Sequence, residues 1–291
     1  MNQIEVTSEY VKGLIPVRRR ETHKGDYGRV LVICGSVGYT GAPCLSAAAA
    51  VRSGAGLVWL GVPESIYNIA AVKMWEAMPF PLPDKGGHIS AKAIPQIIDK
   101  LNVMDACLIG IGMGRFDEAE AIIGAVLENA RCPVVLDADG INAAAGNIDI
   151  LKRAACPVIL TPHEGEFRRL SGGSSGVDTI QKSGRERAAA DFACEYGCTM
   201  ILKGHRTVTA FADGSLYINT TGNPGMAKGG SGDVLAGMLA GLLGQLPVKD
   251  AAAAAVWLHG RAGDIAAAEY GEYSMTPTDI INKIPNAFNF V

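Results

Sequence analysis

Short apolar runs closed by glycine, proline or aspartate recur along the chain. RVLVICG (29–35), LVWLGVP (57–63), ACLIGIGMG (106–114), PVVLDADG (133–140), PVILTPHEGEF (157–167) and TMILKG (199–204) each predict a strand. Most are apolar on both faces, as strands of a buried parallel sheet are. Segments of helical character lie between them. CLSAAAAVRSGAG (44–56) is closed by Gly54 and Gly56, another helix falls near 117–130, and a third around 181–196 follows a GGSSG segment (172–176). TVTAFADGSLYIN (207–219) alternates around Asp213-Gly214, a hairpin signal. An Ala-rich helix over 250–269 and a short tail close the chain. Alternating strands and helices predict an α/β fold: a central, mostly parallel sheet covered by helices on both faces, with a late β-hairpin at its edge. Residues 1–23 read as a polar lead-in with one short helix, and 64–104 as helical pieces around a Pro-rich surface excursion, PFPLPDKGG. With no linker and no internal repeat, 1–291 reads as a single domain.

The stretch TTGNPGMAKGGSGDVLAGMLAGLL (220–243) stands apart. Its glycine-rich half suits neither strand nor helix. From Val234 onward the apolar positions Val234, Leu235, Met238, Leu239, Leu242 and Leu243 form one helical stripe. A glycine turn thus delivers the chain into a buried helix headed by Gly229, Gly230, Ser231 and Gly232. Free backbone N–H groups and the helix dipole favour an anion there, and glycines let a phosphate come close. Asp233 adds a negative charge to the same turn. It reads either as an early-helix residue complementing the dipole, or as the base that takes a proton from a hydroxyl receiving phosphate. Lys228 reads as a counter-charge for phosphate or as a solvated loop lysine. The loop is not a P-loop, which needs Lys and Ser/Thr directly after its last glycine.

Polar and glycine residues gather where the strands end: Gly35, Gly112, Gly114, Asp137, Asp139, Asn142, Thr161, His163, Lys203 and Gly204. Ligands of open α/β sheets sit outside the carboxyl ends of strands. Gly110-Ile111-Gly112-Met113-Gly114 is no GxGxxG fingerprint, because Arg115 stands where a glycine is needed. It reads as a ligand turn or a tight strand exit. Asp137 and Asp139 would point the same way if the strand persisted, as a Mg²⁺ pair, but an Asp-Gly strand end is the stronger reading. His163 reads as a ligand contact or a structural histidine, and Glu166 as a Mg²⁺-positioning carboxylate or a helix cap. No nucleophile elbow, HExxH or CxxC pair is present, which argues against hydrolysis on a protein-held zinc.

Composition narrows the class further. A hydrophobic content of 48% supports a sizeable core, and 36 glycines with abundant alanine suggest close helix–sheet packing. A net charge of −3 offers no electrostatic footprint for nucleic acid or an anionic membrane. The basic run Arg18-Arg19-Arg20 reads as a solvated face. Seven scattered cysteines read as reduced and mostly buried, which implies the cytoplasm. No signal core and no apolar run of membrane-spanning length appears.

Taken together, KGDYGRVLVICGS (24–36), TGAPCLSAAAAVRSGAGLV (40–58), GIGMG (110–114), LDADGIN (136–142), LTPHEGEF (160–167), LKG (202–204) and TGNPGMAKGGSGDVLAGM (221–238) resemble the ADP/ATP-dependent NAD(P)H-hydrate dehydratase family of the ribokinase-like superfamily. The resemblance implies a metabolite-repair lyase: a nucleotide phosphorylates the hydroxyl of hydrated NADH or NADPH (the S-form), and phosphate leaves to restore the double bond. It implies Asp233 as the base. Ala42, Gly112, Gly114 and His163 would contact the hydrated dinucleotide with it. Lys203, Gly204, His205, Arg206, Thr207, Gly230, Ser231 and Gly232 would hold the adenine nucleotide. Mg²⁺ is expected as the phosphate counter-ion, with Glu166 as its associate and no tightly held metal. The brevity of the chain points to ADP. A homotetramer is expected, as is a separate epimerase protein for the other hydrate epimer, since no epimerase domain precedes the dehydratase motifs. Glu164 replaces the family's usual proline, which implies a more mobile and more acidic loop; Ser231 replaces a common threonine. A vitamin-type kinase of the same superfamily would share the GGSGD loop, but TPHEGE and KGDYG argue against it.

Overall fold

The computed structural model describes residues 3–172 and 179–289. Apart from Gly172, the GGSSG segment lies outside them. The strands are β1 (Gln3–Val6), β2 (Arg29–Ile33), β3 (Leu57–Pro63), β4 (Met78–Leu82), β5 (Asp84–Lys85), β6 (His88–Ile89), β7 (Ala106–Ile109), β8 (Val134–Leu136), β9 (Val158–Leu160), β10 (Thr199–Leu202), β11 (Val208–Ala210) and β12 (Leu216–Asn219). The helices are α1 (Ser8–Leu14), α2 (Gly41–Arg52), α3 (Tyr67–Lys73), α4 (Ile94–Leu101), α5 (Ala119–Asn129), α6 (Asp139–Gly146), α7 (Glu164–Gly172), α8 (Thr179–Ser183), α9 (Arg185–Tyr196), α10 (Ser231–Leu243), α11 (Val248–Ser274) and α12 (Pro277–Phe288).

Ten strands form one sheet in the order β1-β12-β11-β10-β9-β8-β7-β2-β3-β4. Only the β10–β11 and β11–β12 pairs are antiparallel, which is the expected hairpin. The uninterrupted apolar runs are explained by burial on both faces. Along β2, Val30 and Val32 join the core beneath α2, α10, α11 and α12, while Leu31 and Ile33 join the core beneath α4, α5, α6, α7 and α9. In β7, Ala106 and Leu108 face the first core, Cys107 and Ile109 the second. The period of two is present, but both phases are apolar.

Three expectations need correction. The lead-in is not merely polar with a helix: β1 pairs in parallel with β12 as the outermost strand, so the hairpin is one strand in from the edge. The Pro-rich stretch is no excursion. Its MPFPL segment is β4, the opposite edge, in register with β3 from Trp59↔Met78 to Pro63↔Leu82. Pro79 and Pro81 lack an N–H, which an edge strand tolerates on its unpaired side. The short tail contains α12, whose Thr276 and Asp279 form a capping box and whose Ile280, Ile281 and Ile284 are buried.

The helix from the glycine loop starts at Ser231, as expected, but it is buried on more than a stripe. Ala236, Gly237, Ala240 and Gly241 are covered as well. This small face admits α2 to near backbone contact: a Cβ on Gly237 would lie 2.2 Å from the Ser46 carbonyl oxygen, and one on Gly241 2.6 Å from that of Ala50. All seven cysteines are free thiols, four of them buried. Among the described residues no helix is long and apolar enough to cross a membrane.

Candidate functional site

Three adjacent strands place one polar side chain each just past their carboxyl ends: Asp137 after β8, Thr161 after β9 and Lys203 after β10. The Thr161 hydroxyl and the Lys203 ammonium each donate to Asp137 Oδ1 at 2.8 Å. Asp137 is all but fully buried, and the Lys203 side chain keeps only 20% of its exposure. Lys203 is also fixed by its backbone, with its N–H on the Pro162 carbonyl and a bridge to His163. Asp137 and Asp139 therefore do not act as a pair. The strand ends at Leu136, Ala138 takes a positive φ of 50°, and Asp139 opens α6 with Oδ2 on the Gly114 N–H at 2.8 Å. Asp137→Asn is expected to deprive the Lys203 ammonium of its hydrogen-bonded carboxylate and to cost about 3 kcal/mol of stability, read from the denaturant midpoint; an unchanged midpoint would show that its other neighbours serve Lys203 equally well.

The head of α10 comes down on this pair. Gly230 caps the helix with φ 99° and has no space for a side chain, since a Cβ would meet Leu45 at 2.8 Å and Pro277 at 3.0 Å. At Gly232 a Cβ would lie 3.3 Å from Lys203 Nζ and 3.9 Å from Asp137 Oδ2. The absent side chain keeps the ammonium beside the helix N–H groups. Burial, reinforced by the charge of Asp137 and opposed by that of Lys203, pushes the Asp233 carboxyl up to about 6. For Lys203, burial lowers the pKa, but Asp137, Glu166 and Asp233 outweigh it and the net shift is upward. The ammonium thus stands charged among three carboxylates.

Lys228 is exposed but anchored. Its ammonium donates to the carbonyls of Tyr273 and Met275, both at 2.6 Å, and pins the loop to the junction of α11 and α12. The rest of the loop also leans on α11. Thr221 donates to the Trp257 carbonyl, and Asp264 accepts from the Gly222 N–H and the Asn223 amide.

His163 caps α7. Its Nδ1 accepts from the Gly165 N–H at 3.0 Å while Glu166 Oε2 accepts from the His163 N–H at 2.9 Å. The exchange is a capping box in which histidine replaces the usual hydroxyl. Its ring edge stays exposed, with Nε2 3.5 Å from Glu166 Oε1. Glu164 is not loose: it ion-pairs with Arg168 and with Arg185, whose guanidinium also donates to the carbonyls of Leu202 and His205. In place of the usual proline, Glu164 therefore ties the 163–166 turn to the 203–207 turn. Within that second turn Thr207 and Gly204 bond to each other, and Arg206, at φ 53°, ion-pairs with Glu5 of β1.

Ala42 and Gly112 adjoin across the neighbouring strand ends. A Cβ on Gly112 would lie 3.0 Å from that of Ala42, and one on Gly114 2.6 Å from the His88 ring. The small residues let the β7 exit loop pack closely on the start of α2 and on His88. Through Leu45, α2 also meets Gly230 at the head of α10. The predicted residues thus form two clusters on one sheet edge: Ala42, Gly112 and Gly114 beyond β2 and β7, and His163 with 203–207 beyond β9 and β10. Asp233 belongs to the α10 head that both clusters flank.

Sequence reasoning gave no role to Arg185 or His259. The His259 ring hydrogen-bonds the backbone of Ser231, and its Nε2 and the Ser231 hydroxyl are both buried without a partner. Burial brings its pKa down to about 4 against the effect of that bond, so the ring is neutral. A lone histidine in an Ala-rich helix carries no local signal of this long-range contact. Among the described residues no group of three or more His, Cys, Asp or Glu side chains is placed to hold a metal ion.

Against known proteins, the family model described as NAD(P)H-hydrate dehydratase matches residues 30–286. A bifunctional NAD(P)H-hydrate repair enzyme of Moorella thermoacetica is 42% identical over 98% of this chain and 53% of its own length. The chain spans about half the length of such bifunctional relatives. The ADP-dependent (S)-NAD(P)H-hydrate dehydratase of Bacillus subtilis is 34% identical over 97% of this chain and 96% of its own. A crystal structure of the ADP/ATP-dependent NAD(P)H-hydrate dehydratase from Bacillus subtilis, co-crystallised with ATP/Mg²⁺, superposes with a TM-score of 0.84 over the full length of both chains at 32% identity.

Proposed function

The chain belongs to the NAD(P)H-hydrate dehydratase family, and from that premise we propose that it returns the S-form of hydrated NADH and NADPH to the reduced coenzymes at the expense of a nucleotide. The reading is carried by one observation: Asp233, a carboxylate with raised proton affinity, sits in the first turn of α10 beside the Lys203 ammonium. A base and an anion-stabilising end are thereby joined in one place.

Asp233 takes the proton of the hydrate hydroxyl as that oxygen attacks the terminal phosphorus of the nucleotide. A nucleotide with one phosphate fewer departs. The ring carbon–oxygen bond of the phosphate ester then breaks, phosphate leaving with the bonding electrons as a proton is lost from the neighbouring carbon, whose C–H electron pair restores the double bond. Hydroxide leaves poorly and phosphate well, which is why the nucleotide is needed. The N–H groups of Gly230 and Gly232 stabilise charge on the phosphoryl group in flight, while the Ser231 N–H donates to the Lys228 carbonyl and holds the loop. With a pKa of about 6, Asp233 is mostly ionised at neutral pH and still basic enough to accept a proton.

Lys203 to Thr207 hold the adenine nucleotide in this reading, with Arg206 contributing backbone because Glu5 holds its guanidinium. Ala42, Gly112 and Gly114 and the exposed His163 edge receive the dinucleotide in this reading. ADP is the proposed donor, in line with the name of the Bacillus relative. The donor set suits a Mg²⁺ ion carried by the phosphates and completed by water rather than a protein cage. Such an ion neutralises phosphate charge. Glu166 is the carboxylate within reach of that space through Lys203, although His163 engages both its oxygens. A homotetramer in the cytoplasm, with the other hydrate epimer supplied through an epimerase, completes the proposal.

The test is the near-ultraviolet absorbance of hydrated NADH incubated with the protein, Mg²⁺ and either ADP or ATP. Absorbance should recover, faster with ADP. A stable phosphorylated product with no recovery would replace the dehydratase with a small-molecule kinase.

A further inference from the structure

At the far end of α10 from Asp233, a half-open cavity of about 600 Å³ lies between the segment following α1, the carboxyl ends of α2 and α10, and α12. Leu242 lines it nine residues beyond Asp233, about 14 Å along the helix at 1.5 Å per residue. The cavity is therefore separate from the proposed catalytic centre, and its volume falls in the range of small-molecule sites.

Its walls are of two kinds. Leu242, Leu246, Pro285 and Phe288 give an apolar surface, and Arg18, Arg19 and Arg52 bring three guanidinium groups to its margin. Arg18 is spent on structure: it stacks 3.8 Å over the Tyr27 ring and donates to the Gly54 carbonyl and to Gln245. Arg19 and Arg52 have no carboxylate partner among the described residues. The one carboxylate in the lining, Asp26, is engaged by the ring and the backbone N–H of His23. Ser53, in the same wall, is 2% exposed and its hydroxyl lacks a hydrogen-bond partner. Arg18 and Arg19 of the basic run thus join Arg52 at the charged rim of an apolar hollow.

We propose that this cavity binds a small amphipathic anion, an apolar body carrying one phosphate or carboxylate, with the body against Leu242, Leu246 and Phe288 and the anion between Arg19 and Arg52. Charge complementarity selects the occupant: two free guanidinium groups disfavour a purely apolar ligand, and the apolar walls are wasted on inorganic phosphate. The half-enclosed shape admits a free molecule rather than a lipid surface.

Isothermal titration of the full chain with octyl phosphate and with octanoate tests it, using octanol and inorganic phosphate as controls. One saturable site per chain is expected, with both controls at least tenfold weaker. The Arg19→Gln/Arg52→Gln pair should weaken octyl phosphate at least tenfold. Leu246→Trp, which fills the hollow, should abolish binding while nucleotide binding and circular dichroism stay as in the parent protein. Should Leu246→Trp fail to fold, the surface arginine pair decides. No saturation up to millimolar probe, equal binding of either control, indifference to the arginine pair, or co-sedimentation with phosphatidylglycerol vesicles in place of free-ligand binding would each overturn the site. Because binding is read directly, a failed dehydratase assay would leave this result standing.

Discussion

Asp233→Asn is expected to slow the conversion of hydrated NADH by roughly 10²–10⁴-fold, with nucleotide affinity unchanged or tighter. The direction of the second effect follows from charge. Asp233 shares the head of α10 with the proposed phosphate position, so removing its carboxylate relieves repulsion even as it removes the base. A kcat loss without a loss of nucleotide binding separates a catalytic role from a structural one. Turnover within a few fold of the parent protein would dismiss Asp233 as base. The pH dependence has a defined sign. In the parent protein kcat/KM should rise through about pH 6 as Asp233 ionises, and the variant should lack that limb. Stability runs the other way. Because the folded pKa of about 6 lies above the ordinary carboxylate value, the contribution of Asp233 is fully present below that ordinary value and is lost as pH rises through 6. The asparagine variant should therefore gain on its parent in unfolding experiments above pH 6.

Gly237→Ala is expected to lower stability by about 3 kcal/mol, or the melting temperature by roughly 6 °C for a chain of this size. One methyl group has this effect because of what it meets. A Cβ at 237 would stand 2.2 Å from the Ser46 carbonyl oxygen, and backbone cannot rotate aside as a side chain can. The helices α2 and α10 would have to separate. Since α2 carries Ala42 and α10 carries Asp233, KM for the hydrated dinucleotide should rise in the surviving fold. A shift below about 1 °C would mean that the contact yields easily.

The sheet interior was legible because β2, β7, β8, β9 and β10 are apolar in both phases, a pattern that only a doubly covered strand sustains. The edges were not. β1 presents a single fully buried residue, Val6, and owes its order to β12; β4 hides behind two prolines that only an edge permits. Thr276 with Asp279 ahead of Ile280, Ile281 and Ile284 marks α12 by a capping box and apolar spacing, a local signal inside what reads as a short tail. At the site, the glycine-led head of α10 could be read directly, since glycine and the following apolar stripe are local features. The partnership of Lys203 with Asp137 could not: it joins residues 66 apart in the chain, through strands that become neighbours only in the sheet. His259 shows the same limit in a stronger form. Asp137 and Asp139, by contrast, follow the strand-end reading, because a turn at Ala138 sends them to different partners.

The pairing of β1 with β12 also orders events in time. Gln3 lies opposite Leu216, and Tyr10 reaches the hydroxyl of Tyr217 across 207 positions. A ribosome adding roughly 5–20 residues per second needs on the order of 10–40 s to deliver the second partner after the first. Through that interval β1 has no strand to pair with, and β12 in turn is an open edge until β1 docks. Docking of β1 therefore waits for β12, and it is the step that closes that margin of the sheet.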